Sequence, residues 1–237
     1  MTTTSAQALL RLLQLTSPAL PVGAYSYSEG LETLVEQSTV TTPAALTAWL
    51  EQELAYGLVA IDGAAVGLVH HRAKQAGLGS PGGVPELAWL AGFNQQLSAL
   101  RDSEETRQQS WATGRALVRM AAHLHPDLKP WFSAAGSPCN FAVAFALVAA
   151  RWEIDRRSVV LGYLHSWAAN LITSAVKLIP LGQTVGQQTL LGLYPVLEET
   201  CDRGLAVQTL DELALSSWGA ALATMQHETL YTRLFRS

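Results

Sequence analysis

Lysine is nearly absent from this chain of 237 residues: Lys74, Lys129 and Lys177 are the only three. Charge of either sign is scarce, at 14% against about 25% in an average soluble domain. The net charge is −4 and the isoelectric point near 5.8. No basic stripe runs along the chain, so the electrostatic footprint of a nucleic-acid binder is missing. No run of like charge marks a disordered arm. Cysteine occurs only at Cys139 and Cys201, too far apart for a metal or redox spacing. The start, Met1 to Leu10, lacks a basic patch followed by an apolar stretch, so no secretory leader is read there. A reduced, cytoplasmic compartment is therefore expected. The longest apolar run, Phe141 to Ala150, is ten residues, about half a membrane span. Alternation of the β kind is lacking, as are internal repeats and any shift of composition that would place a domain boundary.

What is there is apolar and helical in period. Hydrophobic residues make up 49% of the chain. A surface this poor in charge has apolar area to hide, which suggests that part of it lies under a partner. Leu9, Leu10, Leu12, Leu13 and Leu15 predict a short helix ended by Pro18 and Pro21. A turn-rich stretch from Ser17 to Gly30 follows, then a helix from about Ser28 to Gln37. Thr42-Pro43 is a helix start, a capping hydroxyl before a proline. The long helix behind it is expected to break near Asp62-Gly63 and resume to about Ala76. Gly77 to Val84, with four glycines and a proline, reads as a mobile loop. Pro85 opens a helix to about Arg101, and Asp102 with Glu105 has the capping-box arrangement for the next. His125 to Pro138 reads as a second loop. Helices are then expected over Phe141–Trp152, Arg157–Ile179 and Gln183–Arg203, with a last one from an Asp211 cap to Glu228. The whole predicts an all-α, single-domain bundle of about eight to ten helices.

Several chemical motifs fail on inspection. Gly77 to Gly82 fits G-x-G-x-x-G, but a helix precedes it and Pro81 removes an amide donor, so it is no phosphate cradle. Ser174-Ala-Val-Lys177 fits S-x-x-K without the companion motifs of acyl-enzymes. His70 and His71 point about 100° apart on a helix and cannot share one ion. His123 and His125 could chelate only weakly at a fraying helix end, and no Cys-His cluster exists. Glu104-Glu105 and Glu198-Glu199 read as solvated faces. No enzyme is indicated. The alternative is a helical small-molecule binder or enzyme with a pocket near Tyr163, His165 and Asn170. The elements left without a packing role are the Ser17–Gly30 stretch, Leu181 to Gln188 and the aromatic tail, and such elements serve recognition.

Three blocks carry a family likeness. Leu13 to Glu32, which includes Pro18-Ala-Leu-Pro-Val-Gly23 and Tyr25-Ser-Tyr-Ser28, resembles the N-terminal signature of the UreF family of urease accessory proteins. Asn170 to Gln183, followed by Gly186-Gln187, resembles the second signature, and Tyr231 to Ser237 the third. Order and spacing match, so the likeness spans nearly the whole chain. The sequence departs from the family at Asn140-Phe-Ala142 and over Asp102 to Arg107.

The resemblance implies an all-α homodimer that carries out no catalysis. It implies binding to UreD (also called UreH), to the GTPase UreG and to apo-urease, with nickel handled by that assembly and no cofactor of the chain's own. UreF would couple to the GTPase and gate it. The N-terminal segment 1–24 and the tail 229–237 would be partner-dependent, with Arg233 and Phe235 as anchors of the tail and Tyr231 buried beside them. Tyr25 would lie on the same surface, and Lys177 resembles the position linked to GTPase control. A snorkelling lysine at a helix end is the plainer account of Lys177.

Overall fold

The computed structural model describes residues 5–79, 87–212 and 217–236. Among these the chain forms twelve α-helices, three short 3₁₀ turns and no strand. The helices are α1 (Ala6–Leu15), α2 (Leu31–Glu36), α3 (Pro43–Tyr56), α4 (Leu58–Gln75), α5 (Ala88–Ala99) and α6 (Glu104–Leu124). They continue with α7 (Lys129–Ala135), α8 (Phe141–Arg151), α9 (Arg156–Leu178), α10 (Gln183–Gly192), α11 (Tyr194–Ala206) and α12 (Trp218–His227).

The centre is α8. Every residue from Ala142 to Ala150 is buried, as expected of a helix that is apolar all round. Its alanines let α4 and α6 approach closely. α6 crosses at Gly114, where an added Cβ would lie 2.1 Å from the Cys139 carbonyl oxygen. α9 has the length and apolarity to cross a membrane, yet half of that stretch is buried inside this bundle. The all-α, single-domain expectation holds, with two helices more than the upper end of the expected range.

The local departures have identifiable causes. Thr42 caps α3 as expected, accepting from the Ala45 amide at 3.2 Å. The break after it falls at Gly57 rather than at Asp62-Gly63: Gly57 is extended, while Asp62 spends its carboxylate on tertiary partners and α4 runs through. Ser103, not Asp102, caps α6, accepting from Thr106 N at 3.2 Å. The stretch expected as a loop after His125 holds α7, because Leu128, Trp131 and Phe132 have a core to enter. The single helix expected over Gln183–Arg203 is two, since Pro195 in the first turn of α11 cannot donate to the preceding turn. At the C-terminal end Asp211 lies in a 3₁₀ turn, Leu210–Glu212, and α12 begins only at Trp218. Pro85 and most of the Gly77–Val84 loop lie outside the described residues.

Candidate functional site

The site is built where both chain ends meet α9. The N-terminal stretch is forced into a tight turn. Gly23 (φ 78°), Glu29 (φ 53°) and Gly30 (φ 85°) are all left-handed, a conformation that costs a non-glycine residue roughly 1 kcal/mol. This is why α2 starts at Leu31 and not near Ser28. Gly30 has a second reason to lack a side chain: a Cβ there would lie 3.0 Å from Ala223 Cβ and 3.1 Å from Thr224 N, on α12.

Contacts from α6 and α9 offset the strain at Glu29. Its carboxylate accepts from the Trp167 indole at 2.7 Å and from the Gln109 amide at 2.7 Å. Burial raises its pKa, with those two hydrogen bonds pulling the other way. Asn170 holds the same turn, donating to the Ala24 and Tyr27 carbonyls at 3.2 and 3.3 Å.

The C-terminal strap, Leu230 to Arg236, lies against this turn. The Arg236 amide donates to Ser26 O at 2.8 Å. Both amides of Leu234 and Phe235 donate to the Glu32 carboxylate, at 2.6 and 3.0 Å. Phe235 is buried, and the Lys177 ammonium stands 5.5 Å from the centre of its ring, within cation–π range. Arg233 pairs with Glu105 at 3.5 Å.

Of the five residues singled out in the sequence, the structure therefore joins Lys177 to Phe235 and sets Arg233 on α6. Tyr25 is in the 3₁₀ turn Ala24–Ser26 that the strap touches, and its side chain is 61% exposed. Tyr231 is fully exposed, so within this chain Phe235, and not Tyr231, is the buried aromatic of the strap. α12 also exposes apolar side chains, Trp218, Leu222 and Met225, spaced as one helical stripe.

Sequence reasoning missed Glu32, Glu105 and His227, the residues that fasten the strap. Single glutamates and a histidine on separate helices leave no local pattern.

The alternative pocket does not form. Tyr163 points into the core, its hydroxyl donating to Asp62 at 3.0 Å. His165 faces the Tyr194 ring, and Asn170 is spent on the N-terminal turn. Two other histidines have polar partners of their own: His70 is buried with Nε2 2.8 Å from Ile154 O, and His125 Nε2 accepts from the Trp152 indole at 2.7 Å. Among the described residues no three His, Cys, Asp or Glu side chains gather as a metal site.

A second buried carboxylate shares a small cleft with Glu29. Glu53 folds back over Gly57 and accepts from the Ser217 hydroxyl; burial pushes its pKa to about 7. A carboxyl raised in the fold contributes stability below its unfolded value, lost as pH rises through the folded value. Glu53→Gln should therefore be near neutral at about pH 5 and stabilising at about pH 8.5, by on the order of 2 kcal/mol or roughly 4–8 °C in Tm. Thermal melts at the two pH values check this; an equal shift at both would refute it.

The UreF family model matches residues 40–194. The urease accessory protein UreF of Nostoc sp. is 48% identical over 236 residues, covering 100% of this chain and 99% of that protein. The UreF of Synechocystis sp. is 47% identical over 235 residues, 98% and 99% of the two chains. That of Rhodopseudomonas palustris is 37% identical over 234 residues, 98% and 94%.

Proposed function

This chain belongs to the UreF family of urease accessory proteins, and from that membership we propose that it is a scaffold for nickel insertion, joining UreD and the GTPase UreG to apo-urease. In this reading it works as a homodimer in the cytoplasm and performs no chemistry itself. Nickel is cargo of the assembled complex, and UreG activity is modulated through contacts near Lys177.

One observation carries the reading. The three blocks that bear the family likeness are spread over more than 200 residues of sequence, yet the strap, the Tyr25 turn and Lys177 adjoin one another in space. Three separated blocks that converge on a surface, with no catalytic constellation among them, suit recognition better than packing. The low charge of the chain and the bare apolar stripe on α12 support a large partner interface, whose buried centre is depleted in charge and rich in aromatic anchors.

The test is co-purification with the cognate UreD, full-length chain against a chain ending at Glu228, resolved by size exclusion. A stable complex with the full length and none with the truncation is the expected result. Equal binding by both removes the strap from the interface, and binding by neither overturns the scaffold reading.

A further inference from the structure

The strap is fastened through a buried histidine that the proposed function does not use. His227, the last residue of α12, is fully buried. Its Nδ1 lies 3.1 Å from both carboxylate oxygens of Glu105 on α6. Its Nε2 lies 3.0 Å from Glu32 Oε2 on α2. A neutral imidazole carries one proton on its two nitrogens, and a charged one carries two. Two contacts of this length, one at each nitrogen, need a proton on each line. With one proton missing, a ring lone pair faces a carboxylate oxygen at about hydrogen-bond distance, and that contact turns repulsive.

Glu32 does double duty. The oxygen that meets the ring also accepts the Phe235 amide, and the other accepts the Leu234 amide. The anion that answers the histidine is the anion that carries the strap. The other charges facing this cluster are few. Arg233 of the strap reaches Glu105, Glu228 lies beside Glu105 and raises its pKa slightly after the larger effect of burial, and Lys177 of α9 covers the Phe235 ring. Glu104 pairs with Arg107, and Arg236 lines the neighbouring groove with Glu105 and Glu228.

We infer that His227 is a proton-operated pin: with a proton on each of its two lines it fixes Glu32 where the Leu234 and Phe235 amides need it, and loss of one proton releases the strap. Release withdraws Phe235 from beside Lys177 and from the Ser26 turn, so one proton controls the exposure of an aromatic anchor and the freedom of an ammonium on another helix. The direction is set by charge. Without the extra proton, two carboxylates face a neutral ring and Arg233 is left as the cation in contact with either. The strap therefore docks at lower pH and loosens as pH rises.

Hydrogen exchange of the Leu234 and Phe235 amides in the isolated full-length chain tests this without any partner. Rates at about pH 6 and about pH 8.5, corrected for intrinsic exchange, give the docked fraction. A difference of one bound proton between the docked and released states changes their ratio by up to about tenfold per pH unit, so protection should fall at least about tenfold between the two pH values while the amides of α8 and α9 stay protected. Glu32→Gln keeps an acceptor for one strap amide and removes the anion, and should give weak protection with no pH response. His227→Gln, whose amide has an N–H end and an acceptor end but no charge, should behave as the wild type does at high pH. Protection in the wild type that is equal at both pH values overturns the pin, whether or not either variant folds. So does a wild-type pH response retained in Glu32→Gln.

Discussion

Asp62→Ala is expected to cost about 3–5 kcal/mol, the usual cost of leaving one partner of a buried ion pair alone. Arg101 has 4% of its side chain exposed and meets Asp62 at 2.7 Å. The same carboxylate accepts the Tyr163 hydroxyl at 3.0 Å, so the truncation orphans a guanidinium and a phenol together. Asn140 cannot substitute: its Oδ1 reaches Arg101 at 3.4 Å, but an amide carries no charge and already serves Ser110 at 3.0 Å. Total stability of a domain is about 5–15 kcal/mol, so the variant should unfold at much lower denaturant or fail to accumulate. The exposed pair Arg157–Asp202, with side chains 48% and 61% exposed, is the contrast. Asp202→Ala there should cost well under about 1 kcal/mol. Adding Arg101→Met to Asp62→Ala should recover most of the loss, because the orphaned charge goes with it. Denaturant unfolding of the three variants decides; a mild Asp62→Ala would mean that water reaches Arg101 and that the pair is not sealed.

The same residues show where sequence reading stopped. Asp62-Gly63 looks like a helix breaker because aspartate competes locally for backbone groups and glycine costs helix stability. Both objections are answered only in three dimensions, where Asp62 finds Arg101 and Gly63 receives Leu164. Asp102 and Ser103 are adjacent and chemically equal as caps, so a sequence cannot choose between them. By contrast Thr42-Pro43, the short apolar run of α8 and the length of α9 up to Pro180 were legible because each signal is local and unopposed.

The candidate site was half legible for the same reason. Blocks of contiguous residues gave Tyr25, Lys177, Arg233 and Phe235 through a family likeness. The clamp that positions the strap joins residues 195 and 122 positions apart in sequence, each on a different helix. No periodicity marks such a residue as buried. The burial of Phe235 in its own chain was equally invisible, since its seat is made by α2, the first turn and the end of α9 together.

Gly114→Ala should be the most damaging glycine-to-alanine change among the described residues. The new Cβ would lie 2.1 Å from Cys139 O and 3.0 Å from both Asn140 C and Phe141 N. All three are backbone atoms, so no rotamer change relieves the clash, and either α6 or the start of α8 must move. Overpacking in a core usually costs about 1–3 kcal/mol because side chains can give way; here the cost should reach or exceed the top of that range. The segment struck is also the hub of a polar network. Asn140 receives Ser110 and donates to Asn94 and Ser98, and a displacement large enough to clear the methyl breaks buried hydrogen bonds worth about 1–3 kcal/mol each when left unmade. Gly92→Ala is the control, since no atom lies within 4 Å of its Cβ position and α5 should gain roughly 0.5–1 kcal/mol from the better helix former. Opposite signs for the two glycines in thermal unfolding are expected; stability unchanged by Gly114→Ala would mean that the α6–α8 crossing is looser than its geometry. The effect should also travel. α6 carries Glu105 and Gln109 on the turns before Gly114, so shifting it moves one carboxylate of the His227 clamp and one donor to Glu29, and strap protection should drop in the same variant even at low pH.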